Sequence, residues 1–402
     1  MTRFEHIDAL RGFALFGILF GNATWFSGTA VMPPDDRAAL GTIEVDNWTR
    51  WLVHTFVDGK FYSLFSLLFG VGFALVMQRD SSAGGRFRRR MIVLLAIGAL
   101  HASLLWFGDI VSLYAVTGLL LPRCWRMSDR AMLRCSIALM LAPVPISLAV
   151  LALRDPTTTY GAEHGPQSLI PAFATGTYPE LVRANWAFLV ERWVLALESG
   201  RFCKLLGLFL LGAWLVRRGV ATDPGAHRDF LARMCRVSLV VAIPSNLALA
   251  WFLTNVPAHP PSLLGCARTA TYALAAPSMC FVYASTLSLC WRKDSALRRA
   301  FAAAGRMSLT HYVTQSIVGA TVFYGVGLGL WGRWGDASVA VILPALFAIQ
   351  TGIGVVWLHA ARSGPLERMV RRMSPLTTNG CRLKNASEAL ERDDATYSSE
   401  LS

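Results

Sequence analysis

The chain has 402 residues, 54% hydrophobic and 16% charged, with a formal net charge of +13 and a mean hydropathy of +0.44. A soluble domain carries nearer a quarter charged residues. Here the apolar content is gathered into long runs, which excludes a single soluble core and points to an all-α, polytopic membrane protein. The arginines cluster between those runs, with no basic stripe interleaved with aromatics. The positive charge therefore reads as a topology signal facing anionic lipid, and nucleic-acid binding is not expected.

Taken in order, the apolar runs cover approximately 11–30, 58–78, 91–107, 110–122, 132–153, 202–216, 237–254, 269–290, 307–330 and 338–360. The first starts after Asp8 and Arg11 and continues past Trp25. It lacks a short apolar core followed by a small-residue cleavage site, so it reads as a retained helix and not a signal peptide. Arg86, Arg88, Arg89 and Arg90 precede the third run, and Arg123, Arg126, Arg130 and Arg134 follow the fourth. If both clusters are cytoplasmic, the chain goes out and returns through the turn Gly108-Asp109, as two crossings or as a re-entrant hairpin. Arginine clusters also follow runs six, eight and ten. Ten crossings with both termini inside satisfy every loop.

Two segments break the pattern. Residues 154–201 form the longest non-cytoplasmic connection. Within it, Leu181, Phe188, Leu189, Trp193 and Leu197 recur with helical spacing between Glu180, Arg183, Glu191, Arg192 and Glu198. This predicts a helix over 178–198, lying in the interface or packed as an ordinary loop helix. Residues 374–402, rich in Ser, Thr, Asn, Glu and Asp, read as a disordered cytoplasmic tail. The division expected is 1–153, the connection 154–201, a second transmembrane region 202–373, and the tail.

The eight cysteines show no C-x-x-C and no metal-type spacing, so neither a disulfide frame nor a metal site is expected. There is no P-loop, G-x-S-x-G or H-E-x-x-H. Interest falls on polar groups within the runs, because each costs a few kcal/mol to place there. Asp8 and Arg11 are three apart and share a helix face, as a functional pair or as an end cap with a snorkelling arginine. Asn22 lies deeper on the same helix, as interhelical glue or as a group that orients a carbonyl. His101 falls about ten residues into the third run, with Asp109 at the following turn and Tyr114 beyond. It is a general-base candidate and equally a satisfied core histidine. Lys60, with Asp58 and His54, opens the second run, where an interfacial ion pair would explain it. Gln315, with His311, Tyr312 and Gln350, lines a polar path or hydrogen-bonds between helices.

These same residues carry a resemblance. Ile7-Asp8-Ala9-Leu10-Arg11-Gly12 with Asn22, Gly59-Lys60-Phe61-Tyr62-Ser63, His101 through Trp106, and Gly108-Asp109-Ile110 with Tyr114 resemble the YeiB-like family of bacterial inner-membrane proteins. So do Gly305-Arg306-Met307-Ser308-Leu309-Thr310 with Tyr312, Gln315 and Ser316, and Gly364-Pro365-Leu366-Glu367 near the end. The match spans roughly 4–373. The N-terminal half of that family is similar to transmembrane acyltransferases of the heparan-glucosaminide N-acetyltransferase type. The resemblance implies acyl transfer from a cytoplasmic acyl-CoA co-substrate, with no tightly bound cofactor, to a hydroxyl or amine acceptor across the membrane. Those acetyltransferases carry a histidine shortly after helix one, and residues 23–50 here contain none. His54 or His101 would have to replace it. On this reading Arg11 holds the CoA phosphates, Asn22 polarises the acyl carbonyl, and His101, oriented by Asp109, takes the acceptor's proton. A transporter of a small metabolite, built on the same residues, is the alternative. An accessory membrane subunit is a third.

Overall fold

The computed structural model describes residues 4–153, 169–256, 261–291 and 295–374. The expected tail, apart from Ser374, and the first part of the 154–201 connection lie outside the described residues. The described chain is all-helical. Its first half contains α1 (Glu5–Phe26), α2 (Pro34–Ala38), α3 (Ile43–Phe56), α4 (Lys60–Arg79), α5 (Gly84–Leu104), α6 (Val111–Gly118), α7 (Leu121–Cys124), α8 (Asp129–Leu141) and α9 (Pro143–Leu153). The second contains α10 (Ile170–Ala174), α11 (Tyr178–Glu198), α12 (Arg201–Arg217), α13 (Arg228–Asn255), α14 (Leu263–Cys290), α15 (Ala296–Arg306), α16 (Ser308–Phe323), α17 (Asp336–Ala360) and α18 (Pro365–Met373).

Among the described residues, six helical segments are long and apolar enough to cross a membrane: Glu5–Phe26, Ile43–Arg79, Asp129–Leu153, Arg228–Asn255, Leu263–Cys290 and Asp336–Ala360. The other four expected runs are also helical but shorter or arginine-loaded. Helix α12 has 17 residues and α16 has 16. Val111–Cys124 is a short apolar helix. Helix α5 starts with Arg86, Arg88, Arg89 and Arg90, which dilute its apolar character.

Local chemistry sets several boundaries. Ser262 Oγ accepts from the Gly265 N–H at 3.0 Å to start α14, as an N-cap should. Thr177 and Glu180 form a reciprocal capping box at the start of α11, with the Thr177 N–H donating to Glu180 at 2.7 Å. The helix expected over 178–198 is thus present. It packs on α5 and α12, burying Leu181, Ala184, Asn185 and Phe188. Prolines inside α13 (Pro244) and α14 (Pro277) each remove a backbone donor. Buried Asn246 bridges these two helices, donating to Ala242 O at 2.8 Å and Ala275 O at 3.0 Å.

Glycines let the central helices touch backbone to backbone. Helix α1 crosses α15 where Gly12 meets Phe301 and Gly305 meets Asp8. A Cβ on either glycine would fall on the partner's carbonyl oxygen. Helix α4 crosses α12 the same way, with Gly70 against the Phe209 carbonyl and Gly212 against the Leu67 carbonyl. Small residues are the usual means of such approach between helices in lipid. The two crossings bring the start of the chain against its last third. They leave a cleft between α1, α4, α5, α16 and α18.

Candidate functional site

That cleft is a cavity of about 390 Å³. One end is charged: Asp8 and Arg11 of α1, Arg90 of α5, Arg306 of α15, and Glu367 and Arg371 of α18. Toward the other end the wall is apolar and aromatic, with Leu15, Ile18, Phe65, Phe69, Phe73 and Leu94. Tyr114 and Tyr312 also contribute to the lining. From Asp8 to Ile18, at 1.5 Å per residue, the cavity runs about 15 Å along α1.

Each charged group at this end has a positional cause. Arg11 Nη1 donates to Asp8 Oδ1 at 3.1 Å, one turn back on the same face. Its guanidinium lies over Gly72, where a Cβ would stand 2.8 Å from Nη2. Glu367 accepts from the Leu309 N–H at 2.7 Å, the Thr310 N–H at 3.1 Å and the Thr310 hydroxyl at 2.6 Å. It thereby satisfies first-turn donors of α16 and sets a negative charge at that helix's positive end. The Gly364-Pro365-Leu366-Glu367 segment is thus a cap for the Ser308-Leu309-Thr310 turn, which explains why both stretches stand out in the sequence. Arg90 is half-buried, and no carboxylate lies within ion-pair distance of it among the described residues. The charges acting on it come from Arg11, Arg371 and Glu367.

His101 and Asp109 lie immediately behind Tyr312. Both are 3% exposed. His101 Nδ1 stands 3.2 Å from Asp109 Oδ1, close enough for an ion pair but out of line for a hydrogen bond, so both ring nitrogens lack a hydrogen-bond partner. Asp109 Oδ2 accepts from the Ser112 N–H at 2.7 Å. The His101 and Tyr312 rings are 5.1 Å apart. The Tyr312 hydroxyl accepts from the Ile110 N–H at 3.2 Å, which fixes it as a partition between this pair and the cavity. Tyr114 is tied to Ser66 Oγ at 2.7 Å and donates to Tyr62 O at 3.1 Å.

Of the residues singled out in the sequence, Asp8, Arg11 and Tyr114 line the cavity. His101 and Asp109 form a buried pair one side chain away from it. Lys60 is fully buried at the opposite end of α4 from Arg79 and donates to His54 O at 2.5 Å. His54 Nδ1 pairs with Asp58 Oδ2 at 2.6 Å. Gln315 bonds Gln350 Oε1 at 3.1 Å and lines a second, apolar cavity of about 130 Å³. Asn22 is half-buried on α1, one turn beyond Ile18, and lines neither of these two cavities. Sequence reasoning passed over Arg90 and Arg371 as individuals, because each sits in a run of arginines that already has a topological explanation. It also passed over Arg201 and Lys204. Lys204 is a charge inside an apolar run, and that signal was available.

Comparison with known proteins places the chain among uncharacterised relatives. Residues 215–377 match the family model described as "Protein of unknown function (DUF418)". The "Uncharacterized protein YxaH" of Bacillus subtilis is 28% identical over 407 residues, covering 92% of this chain and 94% of the relative. The "Uncharacterized protein YeiB" of Escherichia coli is 28% identical over 402 residues, covering 93% and 97%. The chain is thus similar over nearly its whole length to these YeiB-like proteins. An "Uncharacterized 39.9 kDa protein in amylase 3'region" from Bacillus acidopullulyticus is 26% identical, over 92% of this chain and 94% of its own. No solved structure matches. The DUF418 region supplies Arg306, Tyr312, Glu367 and Arg371 to the cavity, and the portion before it supplies Asp8, Arg11, Arg90 and the aromatic wall. Both parts of the chain are therefore needed to enclose the site.

Proposed function

We propose that the protein takes an acyl-CoA into the arginine-rimmed cavity and transfers the acyl group to an acceptor arriving from the other side of the membrane. The observation that carries this reading is the polarity of the cavity: four arginines at one end and phenylalanines along its length. Arginine forks suit phosphate oxygens, and the apolar length suits a pantetheine arm and acyl chain. On this reading all ten runs cross a bacterial inner membrane, with both termini and the arginine end in the cytoplasm.

The thioester would come to rest near Tyr312 and Tyr114, with His101 on the far side of that partition. The acceptor's O–H or N–H would lose its proton to His101 as the new bond to the acyl carbon forms and the C–S bond breaks. The CoA thiolate would then be reprotonated from His101. Asp109 would stabilise the imidazolium between those events. Side-chain rotation of Tyr312 is required for the two halves to meet.

The test is equilibrium binding of acetyl-CoA and a long-chain acyl-CoA to the purified chain, followed by release of free CoA thiol in the presence of candidate acceptors. Saturable binding that is tighter for the longer chain is expected. Absence of binding by either thioester would end the reading. Uptake of the intact thioester into proteoliposomes without thiol release would identify a carrier.

A further inference from the structure

At the end of the bundle away from the arginine rim, the structure buries a second set of positive charges. Lys60 opens α4 and Arg201 opens α12, each directly after a glycine in the left-handed region, Gly59 at φ +81° and Gly200 at φ +62°. The N-termini of two parallel, packed helices therefore converge here, and their dipoles add positive potential. Lys204, one turn into α12, is 3% exposed. Its Nζ lies 3.9 Å from the centroid of the Tyr272 ring and has no hydrogen-bond partner. The charges acting on it from Arg201 and Lys60 are both repulsive. Arg192 of α11 stands in the same electrostatic neighbourhood as Arg201 and Tyr62. The Tyr62 hydroxyl is likewise buried and without a partner.

The nearby acids are committed elsewhere. Asp58 is held by His54 Nδ1 at 2.6 Å. Asp109 is held by His101 and the Ser112 N–H. Among the described residues, no carboxylate lies within ion-pair distance of Lys60, Arg192, Arg201 or Lys204. Two buried lysines beside two half-buried arginines, with Asp58 and Asp109 acting on Lys60 and Arg192 only from beyond ion-pair distance, form an unfavourable arrangement, because a buried charge without a close partner costs far more than an exposed pair returns. An interior aromatic ring under Lys204 offsets only part of that cost. The missing component is negative charge.

We infer that Lys204, Tyr62 and the flanking Arg201 and Lys60 form a second binding site, on the side opposite the arginine rim, for an oxyanion: a carboxylate or phosphoryl group carried by a small soluble molecule or by an anionic lipid head. The inference holds whatever occupies the arginine-rimmed cavity. The two sites are separated by the Tyr114–Ser66–Tyr62 contacts. A ligand in each would face the other across that partition.

The experiment uses the full chain purified in non-ionic detergent, with thermal unfolding as the readout at constant ionic strength. One arm titrates inorganic phosphate or acetate against chloride. The other compares nanodiscs of phosphatidylcholine alone with nanodiscs that also contain phosphatidylglycerol. A response in the first arm assigns a soluble anion, and a response only in the second assigns a lipid head. Wild type is expected to gain several degrees in one arm. Lys204→Met and Arg201→Gln should each weaken that response about thirtyfold or more in concentration, and Arg89→Met, at an exposed arginine outside both sites, should leave it intact. Without added anion, Lys204→Met should unfold no lower than wild type, since an apolar isostere replaces an uncompensated charge. The proposal is overturned if neither arm stabilises wild type, if Lys204→Met and Arg201→Gln respond as wild type does, or if the response is lost equally in Arg89→Met.

Discussion

Arg90 offers the sharpest test of the arginine-rimmed cavity, because its two neighbours in sequence serve as controls. Arg88 and Arg89 are exposed, and Arg90 is half-buried and lines the cavity. All three carry one positive charge on the same turn of α5. Replacing Arg90 by Met removes a charge-assisted contact to a bound phosphate. At an effective dielectric of about 20, two unit charges 4 Å apart interact by about 4 kcal/mol. Truncating one partner of a desolvated charged pair typically costs about 2–5 kcal/mol. Since Arg90 is only half-buried and Arg11, Arg306 and Arg371 remain, the lower figure applies, about 2 kcal/mol or roughly thirtyfold in Kd. Arg90→Lys should lose only part of this, since it retains the charge and loses the fork. The assay is calorimetric titration of acyl-CoA into the detergent-solubilised protein at low and moderate salt. Arg89→Met should bind like wild type. Equal losses in Arg89→Met and Arg90→Met would show that only general surface charge attracts the ligand. An unchanged Kd in Arg90→Met would refute a phosphate contact at this position.

Other perturbations probe the frame and the chemistry. Gly70→Leu places a side chain on the Phe209 carbonyl and should cost well over about 1–3 kcal/mol, read as loss of a monodisperse peak in size-exclusion chromatography. Ala at Gly352, where a Cβ meets nothing within 4 Å, should be silent. Glu367→Ala strips the cap from α16 and should cost about 1–2 kcal/mol, seen as a lowered Tm that Glu367→Gln partly restores. His101→Gln should keep the fold and acyl-CoA affinity while lowering thiol release by about 10²- to 10⁴-fold; unchanged turnover would make His101 a packing residue. Reporter fusions within 79–90 and 217–236 should report the cytoplasm and those within 31–48 the other side. The same signal from both sets would overturn the proposed topology.

The helices were largely legible from the residues, whereas the glycines at which they cross, Gly12, Gly305, Gly70 and Gly212, were not. Periodicity marked α11 before the structure placed it, and Asp8 with Arg11 stood out as a pair because three residues make most of one helical turn. What could not be read was which member of each arginine cluster turns inward. Arg88, Arg89 and Arg90 point in three directions 100° apart, and the facing surfaces of α1, α16 and α18 decide among them. His101 and Asp109 were legible as neighbours, but the intervention of Tyr312 between them and the cavity depends on a residue 200 positions away. Lys204 was visible as a charge in an apolar run. Its company, Lys60 from α4 and Tyr272 from α14, exists only after α4, α12 and α14 have packed.

The crossing of Gly12 with Phe301 also has a timetable. The surface that receives α1 is made about 290 residues after it, and a ribosome adding roughly 5–20 residues per second needs about 15 to 60 s to reach it. During that interval α1 stands in the bilayer with its groove of small residues uncovered, and Asp8 and Arg11 have only each other and the interface. The first helix must therefore be viable alone, while the arginine rim is the last part of the molecule to be assembled. A chain stalled before α15 would carry an inserted first helix and no cavity.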